Sequence, residues 1–449
     1  MDSQLLHHLD RRIPRYTSYP TAVQFGPEVD QATYQAWLAS LPAEQPISIY
    51  LHIPFCAELC LYCGCHTTVA RRYGPVAAYV DLLEREIALV GRHLGVRRTA
   101  VHIHWGGGTP TMVSPPDFQR IMRALRAIAV IKTGCEMAIE IDPRTLQRQL
   151  VPVMAEAGVT RASLGVQDFE ERVQRAVGRL QSFEQTARAA DWLRHAGIAS
   201  INLDLMYGLP YQTVASVAAT ARRVLALDPD RIALFGYAHV PWMKKHQKLL
   251  PAHALPGTVE RLAQSRAVAA VLEDAGYRAI GLDHFAKPDD LLIRRQQEKR
   301  LHRNFQGYTT DEASALIGFG TSAIGMLPQG YVQNATSTVA YREAIAAGLL
   351  ATARGRALTD DDRLRREIIE RLMCDLEVDL AEIAAARHKC VDDFSAELAN
   401  LAPLAKHGLV HVSGGTITVA EQARPFVRNI CAVFDAYLSA GETRFSQAL

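Results

Sequence analysis

The sequence predicts an α/β protein, a partial (β/α)6-type TIM-like barrel with an N-terminal flap and a small, mainly helical C-terminal domain. Three observations lead there. Short apolar, β-branched runs alternate with amphipathic helical stretches through the first two thirds of the chain. Six of these runs end on polar, glycine or proline motifs, as barrel strands do when their carboxyl ends build a shared mouth. Past about residue 350 the alternation gives way to helical periodicity with one hairpin signal.

The strand-like runs are 47–53, 100–104, 137–141, 161–166, 201–206 and 231–235. Between the first two, residues 76–93 set Val80, Leu83, Ile87 and Val90 on one helical face and Asp81, Arg85 and Arg92 on others. Such alternation implies parallel strands joined by crossovers, and six units without a dinucleotide fingerprint favour a barrel over an open nucleotide-binding sheet. The strand-end motifs are His52-Ile53-Pro54-Phe55-Cys56, Gly106-Gly107-Gly108-Thr109-Pro110, Glu140-Ile141-Asp142-Pro143-Arg144, Gln167-Asp168-Phe169, then 204–210 and 237–241.

Residues 365–374 and 391–405 read as helices and 409–419 as a hairpin turning at Gly414-Gly415, a pattern that resembles a winged helix. No Lys/Arg cluster marks a recognition helix, so a lid or cap is expected instead of a DNA reader. The expected divisions are a flap at 1–35, a barrel at 36–345 and a helical domain at 346–449. Residues 15–21 are rich in tyrosine and poor in charge, so the flap is expected to lie ordered over the barrel mouth.

Of 449 residues, 49% are hydrophobic and 21% charged, enough for a large core. A balance of 49 basic against 47 acidic side chains points to neither nucleic acid nor an anionic membrane. The opening Met1-Asp2-Ser3-Gln4, followed by His7, His8, Arg11 and Arg12, has no apolar core of a secretory signal, and no run of about 18 apolar residues follows, so no membrane span is expected. Four of eight cysteines fall between positions 56 and 65, which suits a reducing cytoplasm better than a disulfide framework.

Those cysteines carry the chemistry. Cys56, Cys60 and Cys63 sit in one loop with gaps of three and two residues. Three thiolates so placed can each take one iron of a 4Fe-4S cubane and leave the fourth iron open. Cys65 adds a fourth thiol and keeps zinc as the alternative, although structural zinc usually takes two separated pairs. Cys135, Cys374, Cys390 and Cys431 read as small buried hydrophobes.

The loop, with aromatic Tyr62 before its third cysteine and the glycine run at 106–108, resembles the radical S-adenosylmethionine superfamily. Further segments extend the likeness over nearly the whole chain: Arg15-Tyr-Thr-Ser-Tyr-Pro-Thr21, Tyr50-Leu-His-Ile-Pro-Phe-Cys56, Cys63-Gly-Cys65, His104 to Thr111, Gly165-Val-Gln-Asp-Phe169, Asp204 to Pro210, His302 to Thr310 and Arg428-Asn-Ile-Cys431. With these it resembles the oxygen-independent coproporphyrinogen III oxidase family. The resemblance implies Cys56, Cys60 and Cys63 as cluster ligands and two S-adenosylmethionine molecules side by side. The cluster-bound one would meet Tyr50, Tyr62, Gly107, Glu140 and Ile324, and the second Gly108, Thr109, Gln167, Arg179, Asp204 and Ala238.

The implied reaction converts two propionates of coproporphyrinogen III to vinyls, giving protoporphyrinogen IX in haem synthesis through a 5′-deoxyadenosyl radical. It needs an electron donor such as flavodoxin or ferredoxin and an outside acceptor, and the chain is expected to act as a monomer. Cys65 reads as a proton or hydrogen donor or a buried thiol, and His52 as a proton-handling or structural histidine. Arg15, His302 and Arg303 are candidate cations for the substrate's four carboxylates. A haem-chaperone paralogue and a radical haem methylase are the rivals. The segment 15–21, Cys65 and the segment 302–310 favour the oxidase.

Overall fold

The computed structural model describes residues 5, 6, 9–438 and 445–448; positions 1–4, His7, His8, 439–444 and 449 lie outside the described residues. Six strands form the heart of the sheet: β1 (Ile47–Ile53), β2 (Arg98–Gly107), β3 (Ala129–Ile141), β4 (Arg161–Gln167), β5 (Ser200–Tyr207) and β6 (Arg231–Gly236). Each pairs in parallel with the next. β1 is buried on both faces apart from a half-buried Tyr50, which is why its sequence is a continuous apolar run. Gly74–Leu94 (α1) covers it with Val76, Val80, Leu83, Ile87 and Val90, the face its periodicity marks.

The sheet extends beyond those six strands. Added to it are β7 (Arg278–Ile280), β8 (His284–Ala286), β9 (Leu316–Phe319), β10 (Ile324–Leu327), β11 (Gly330–Asn334) and β12 (Thr352–Ala357). The order is β12-β11-β10-β9-β1-β2-β3-β4-β5-β6-β8-β7. β9 runs parallel to β1 and the remaining added strands pair antiparallel. Since β7 and β12 are the two ends of that order, the barrel is open and remains partial. These six strands are three to six residues long, too short for periodicity to register.

A buried polar knot welds β9–β11 to the barrel. Glu86, on the apolar face of α1, accepts from Gly320 N (2.7 Å), Asn334 Nδ2 (2.6 Å) and Tyr341 Oη (2.7 Å). Tyr79, also on α1, donates to the His52 carbonyl and accepts from Thr321 N, each at 2.8 Å. Burial pushes the Glu86 carboxyl up to about 7 against the pull of its donors.

Two further helices matter for the site: α2 (Glu171–Val177) and α3 (Thr258–Asp274). Beyond the sheet, α4 (Asp360–Asp375) starts at a Thr359 capping box with three aspartates in its first turn. α5 (Ser395–Lys406) follows a short turn, and the hairpin Val410–Ser413 and Thr416–Val419 turns at Gly414 and Gly415, both at positive φ. Leu364, Ile368, Leu372, Phe394, Leu401, Ile417 and Phe426 form a second apolar core here.

The N-terminal residues belong to that second core, which Leu9, Ile13, Tyr16 and Tyr19 enter. Tyr16 Oη donates to Asp435 (3.0 Å), Ala436 N donates to Tyr19 Oη (2.9 Å), and Arg15 reaches the Gly236 carbonyl at the end of β6 (2.8 Å). The segment thus straps the C-terminal helices to the barrel mouth. Cys135, Cys374 and Cys431 are buried as expected, but Cys390 is exposed. It precedes the short turn Val391–Phe394, and its backbone N–H donates to Asp393, a capping place that faces solvent.

Candidate active site

The cysteine loop leaves β1 and is clasped at its base by a short parallel pair, Phe55–Cys56 with Thr68–Val69. Inside the clasp the chain turns through Cys63 N to Cys60 O (3.1 Å), and Leu61 N donates to the Val177 carbonyl at the end of α2 (2.9 Å). A strap after β6 fixes three more of the loop's carbonyls. Gln247 Nε2 donates to Tyr62 O (3.0 Å), His246 Nε2 to Cys63 O (2.7 Å) and Lys244 Nζ to Cys65 O (2.9 Å).

Each of the three sulfurs receives a donor. Thr109 Oγ1 donates to Cys56 (3.5 Å), Arg144 and Arg179 both donate to Cys60 (3.6 Å each), and Cys65 N donates to Cys63 (3.4 Å). Asp142 holds the two arginines at 2.7 and 3.2 Å. The Cys63 thiol is pulled down to about 6, first by its hydrogen bond with the Cys65 side chain, and burial pushes Cys56 up to about 11.

This donor set fits an anionic iron–sulfur cluster. Hydrogen bonds and cationic arginines compensate thiolate charge in a buried place. Among the described residues no three His, Cys, Asp or Glu converge to share one metal ion. Thiolates that each bind a different iron of a cubane have no such point of convergence to satisfy. A side chain at Gly108 would strike Phe55 O at 2.6 Å and Cys56 Sγ at 3.0 Å, so glycine there is what lets the loop seat.

The glycine run is shaped from below. Glu140 accepts from Gly107 N (3.1 Å) and from His104 Nε2 (3.2 Å). Gly107 sits at φ +115°, with the His52 ring 2.8 Å from where a Cβ would stand. His52 itself is engaged at both ring nitrogens. Nε2 meets the His66 carbonyl (3.0 Å), so it carries the proton, and Nδ1 accepts from Tyr50 Oη (3.0 Å). Burial lowers its pKa, so the neutral ring acts as a prop between Tyr50 and Gly107.

On the far wall, Asp204 accepts from Ser163 Oγ (2.9 Å) and Asn202 Nδ2 (2.8 Å), and burial pushes its carboxyl up to about 6. Gln167 stands at a β4 irregularity with φ +69°, and Arg179 donates to the Gly165 carbonyl beside it (2.6 Å). All these groups line one cavity of about 560 Å³. Cys56, Cys60, Cys63, Cys65, Tyr62, Gly107, Gly108, Thr109, Glu140, Gln167, Arg179, Asp204 and Ala238 border it. Tyr50 and His52 lie behind the wall, and Ile324 lines a neighbouring cavity with Tyr16, Tyr19 and Phe305.

Sequence reasoning left several lining groups without a role. Asp142 and Arg144 were visible only as a strand-end motif. Phe305 and Gln306 occupy the tip of the hairpin His302–Asn304 and Gly307–Thr309 and reach the cavity wall. The signal for them was Gly307, which follows at φ +114°. Gln247, which holds the Tyr62 and Ala238 carbonyls from outside the cavity lining, had no signal at all.

Residues 50–224 match the radical SAM superfamily and 358–426 the HemN C-terminal domain. The chain is 52% identical to the oxygen-independent coproporphyrinogen III oxidase of Bradyrhizobium diazoefficiens, over 98% of each chain. It is 42% identical to that of Paracoccus denitrificans, over 95% of each. It is also similar to the structure of coproporphyrinogen III oxidase (HemN) from Escherichia coli, a radical SAM enzyme, with a TM-score of 0.90 and 39% identity over 95% of this chain and 100% of that one. Cysteine loop, glycine run and full-length likeness agree, and the chain belongs to the oxygen-independent coproporphyrinogen III oxidase family of radical SAM enzymes.

Proposed function

We propose that this chain oxidatively decarboxylates two propionates of coproporphyrinogen III to vinyl groups, yielding protoporphyrinogen IX for haem synthesis, with two S-adenosylmethionine molecules in the site. The carrying observation is that a three-cysteine loop, a glycine run and two half-buried carboxylates, Glu140 and Asp204, border one cavity of about 560 Å³ in a chain similar end to end to enzymes of that name. Cys56, Cys60 and Cys63 would hold a 4Fe-4S cluster, with S-adenosylmethionine on its open iron. When bound, the pair supplies one-electron cleavage of the sulfonium and a 5′-deoxyadenosyl radical that removes hydrogen.

The chain's own groups prepare that chemistry. Arg144 and Arg179, aimed at Cys60, offset thiolate charge and favour the reduced state. Glu140 keeps the Gly107 N–H turned inward and its remaining lone pairs can take an ammonium. Asp204, largely ionised at neutral pH, can accept ribose hydroxyls, while Arg179 and Gln167 can hold a second carboxylate. Gly108, Thr109 and Ala238 border the cavity on that side, Tyr62 borders it beside the cysteines, and Ile324 would reach the first cofactor from the adjoining cavity, with which the site shares Phe305. Cys65, whose backbone is pinned by Lys244 and whose thiol is hydrogen-bonded to Cys63, borders the cavity where substrate would meet it.

We read the chain as a flap at 1–35, a barrel at 36–345 and a helical domain at 346–449, acting as a cytoplasmic monomer with a flavodoxin or ferredoxin as donor. Among the described residues no helix is long and apolar enough to cross a membrane. The test is an anaerobic assay of the reconstituted protein on coproporphyrinogen III. Protoporphyrin after oxidation, with two 5′-deoxyadenosines per product, is expected; haem transfer without vinyl product would overturn the reading.

A further inference from the structure

A second cavity, of about 450 Å³, adjoins the cysteine-lined one and shares Arg15, Gly236 and Tyr237 with it. Its walls come from four parts of the chain. Arg15 belongs to the N-terminal strap, Tyr207 and Gly236 to the ends of β5 and β6, Arg261 to α3, and Arg428 to the C-terminal domain. Arg303 and Asp283 close the inner side.

The charges here do not balance. Nearer the surface Arg424 pairs with Glu421 at 2.8 Å. Deeper in, Arg15 and Arg303 face Asp283, which already accepts from His284 at 2.6 Å and stands 4.0 Å from Arg303, while Arg261 has Asp10 as its acidic neighbour and Arg428 has Arg15 and Arg303 as charged neighbours. Arg261 and Arg428 are 8% and 4% exposed, and the Arg303 side chain 6%. Among the described residues, Arg303 Nε and Nη1, and the Nε of both Arg261 and Arg428, have no hydrogen-bond partner. What the arginines do bind is carbonyl: Arg15 to Gly236, Arg261 to Tyr237 and Arg428 to Gln447. Burial, with Arg15 and Arg303 nearby, lowers Arg428 to about 9.

Buried cations without counter-ions cost stability, and a fold keeps them where an anion arrives to pair with them. Guanidinium forks match carboxylates in particular, two donors to two oxygens. We propose that this arginine-lined cavity receives the propionate carboxylates of the substrate that are not decarboxylated, while a reacting propionate reaches into the adjoining cysteine-lined cavity. The shared wall of Arg15, Gly236 and Tyr237 is then the place where the macrocycle crosses from one cavity to the other. The inference rests on the substrate reading above and adds to it where the unreactive arms bind.

The test uses coproporphyrin III, the stable oxidised form of the substrate, titrated by its fluorescence into the full chain with and without its cluster. Arg428→Met and Arg303→Met are each expected to weaken binding at least tenfold. S-adenosylmethionine binding and cluster content should not change. Ligand-free melting should be unchanged or higher, since a buried unpaired charge is gone; a purely structural arginine would instead lower it. Coproporphyrin III tetramethyl ester, with no carboxylates, should bind weakly to the parent and equally to both variants. Parent-like affinity in the variants, or an ester that binds the parent as well as the acid, would overturn the subsite. So would displacement of coproporphyrin III by inorganic phosphate at comparable concentration, which would mark a plain anion site. Failure of the parent to turn over coproporphyrinogen III is a separate outcome that removes the substrate reading itself.

Discussion

The two cavities that meet at Arg15 and Tyr237 are opposite solutions to burying charge. On the cysteine side every sulfur of the proposed ligand set has a donor, and Asp142 holds both Arg144 and Arg179. On the arginine side the guanidiniums of Arg15, Arg261, Arg303 and Arg428 outnumber the carboxylates beside them, Asp283 and Asp10, and several N–H groups go unmatched among the described residues. The satisfied side is built to hold a permanent group in one geometry. The unsatisfied side is built to be completed by something that comes and goes.

Four changes break or sharpen that contrast. The largest effect is expected from Cys56→Ala, Cys60→Ala or Cys63→Ala, each of which should abolish cluster assembly, whereas Cys65→Ser should keep it. Iron and sulfide analysis of anaerobically reconstituted protein checks this, and a full cluster in any alanine variant refutes the ligand set. Next comes Asp142→Ala, which takes from Arg179 and Arg144 the carboxylate they share and leaves Arg144 only Glu58. A loss of about 3 to 5 kcal/mol is expected in urea unfolding, the opposite sign from Arg428→Met. Equal effects at the two sites would erase the comparison.

Glu86 is the intermediate case, hydrogen-bonded by three groups but without a cation. Its folded pKa of about 7 lies above the unfolded value, so the stability it permits is complete below the unfolded pKa and lost as pH rises through about 7. That loss amounts to about 3 kcal/mol, and Glu86→Gln should flatten the slope of unfolding free energy over this window. A parent slope that survives the substitution would place the titration elsewhere. The smallest effect is expected at Asp204, whose carboxyl titrates near 6. Retention of the proposed second S-adenosylmethionine should fall several-fold as pH drops through that value in the parent, and Asp204→Asn should show the weak binding at every pH. Equilibrium dialysis under nitrogen measures both.

Between the sequence reading and the fold, the agreement and the gaps have physical causes. The first six strands were legible because burial on both faces writes a continuous apolar run, and α1 because one buried face writes a helical period. β9 was not: its four residues earn their place by pairing with β1, in register Ser48 to Leu316, and by the Glu86 knot two elements away. His52 reads from the sequence as a proton-handling or a structural histidine, and only the fold supplies its two hydrogen bonds, to Tyr50 and to a carbonyl fourteen residues on. Residues 15–21 read as an ordered cover from their tyrosines, but only the fold shows Tyr16 and Tyr19 inside the C-terminal core.

What the sequence determined by itself is local: the spacing of three thiols in one loop, the glycines that let backbone approach them, and the carboxylates at the ends of successive strands. Connectivity alone brings these together, because parallel strands of one barrel present their carboxyl ends on one side. Only the tertiary structure decided the strap in which Gln247, His246 and Lys244 grip a loop some 180 residues earlier. It also decided that Arg15, Arg261, Arg303 and Arg428 meet on one cavity and outnumber the carboxylates beside them. Periodicity reports which face of one element is buried, whereas the charge balance of a cavity is a sum over elements far apart in the chain, and no single stretch of sequence contains it.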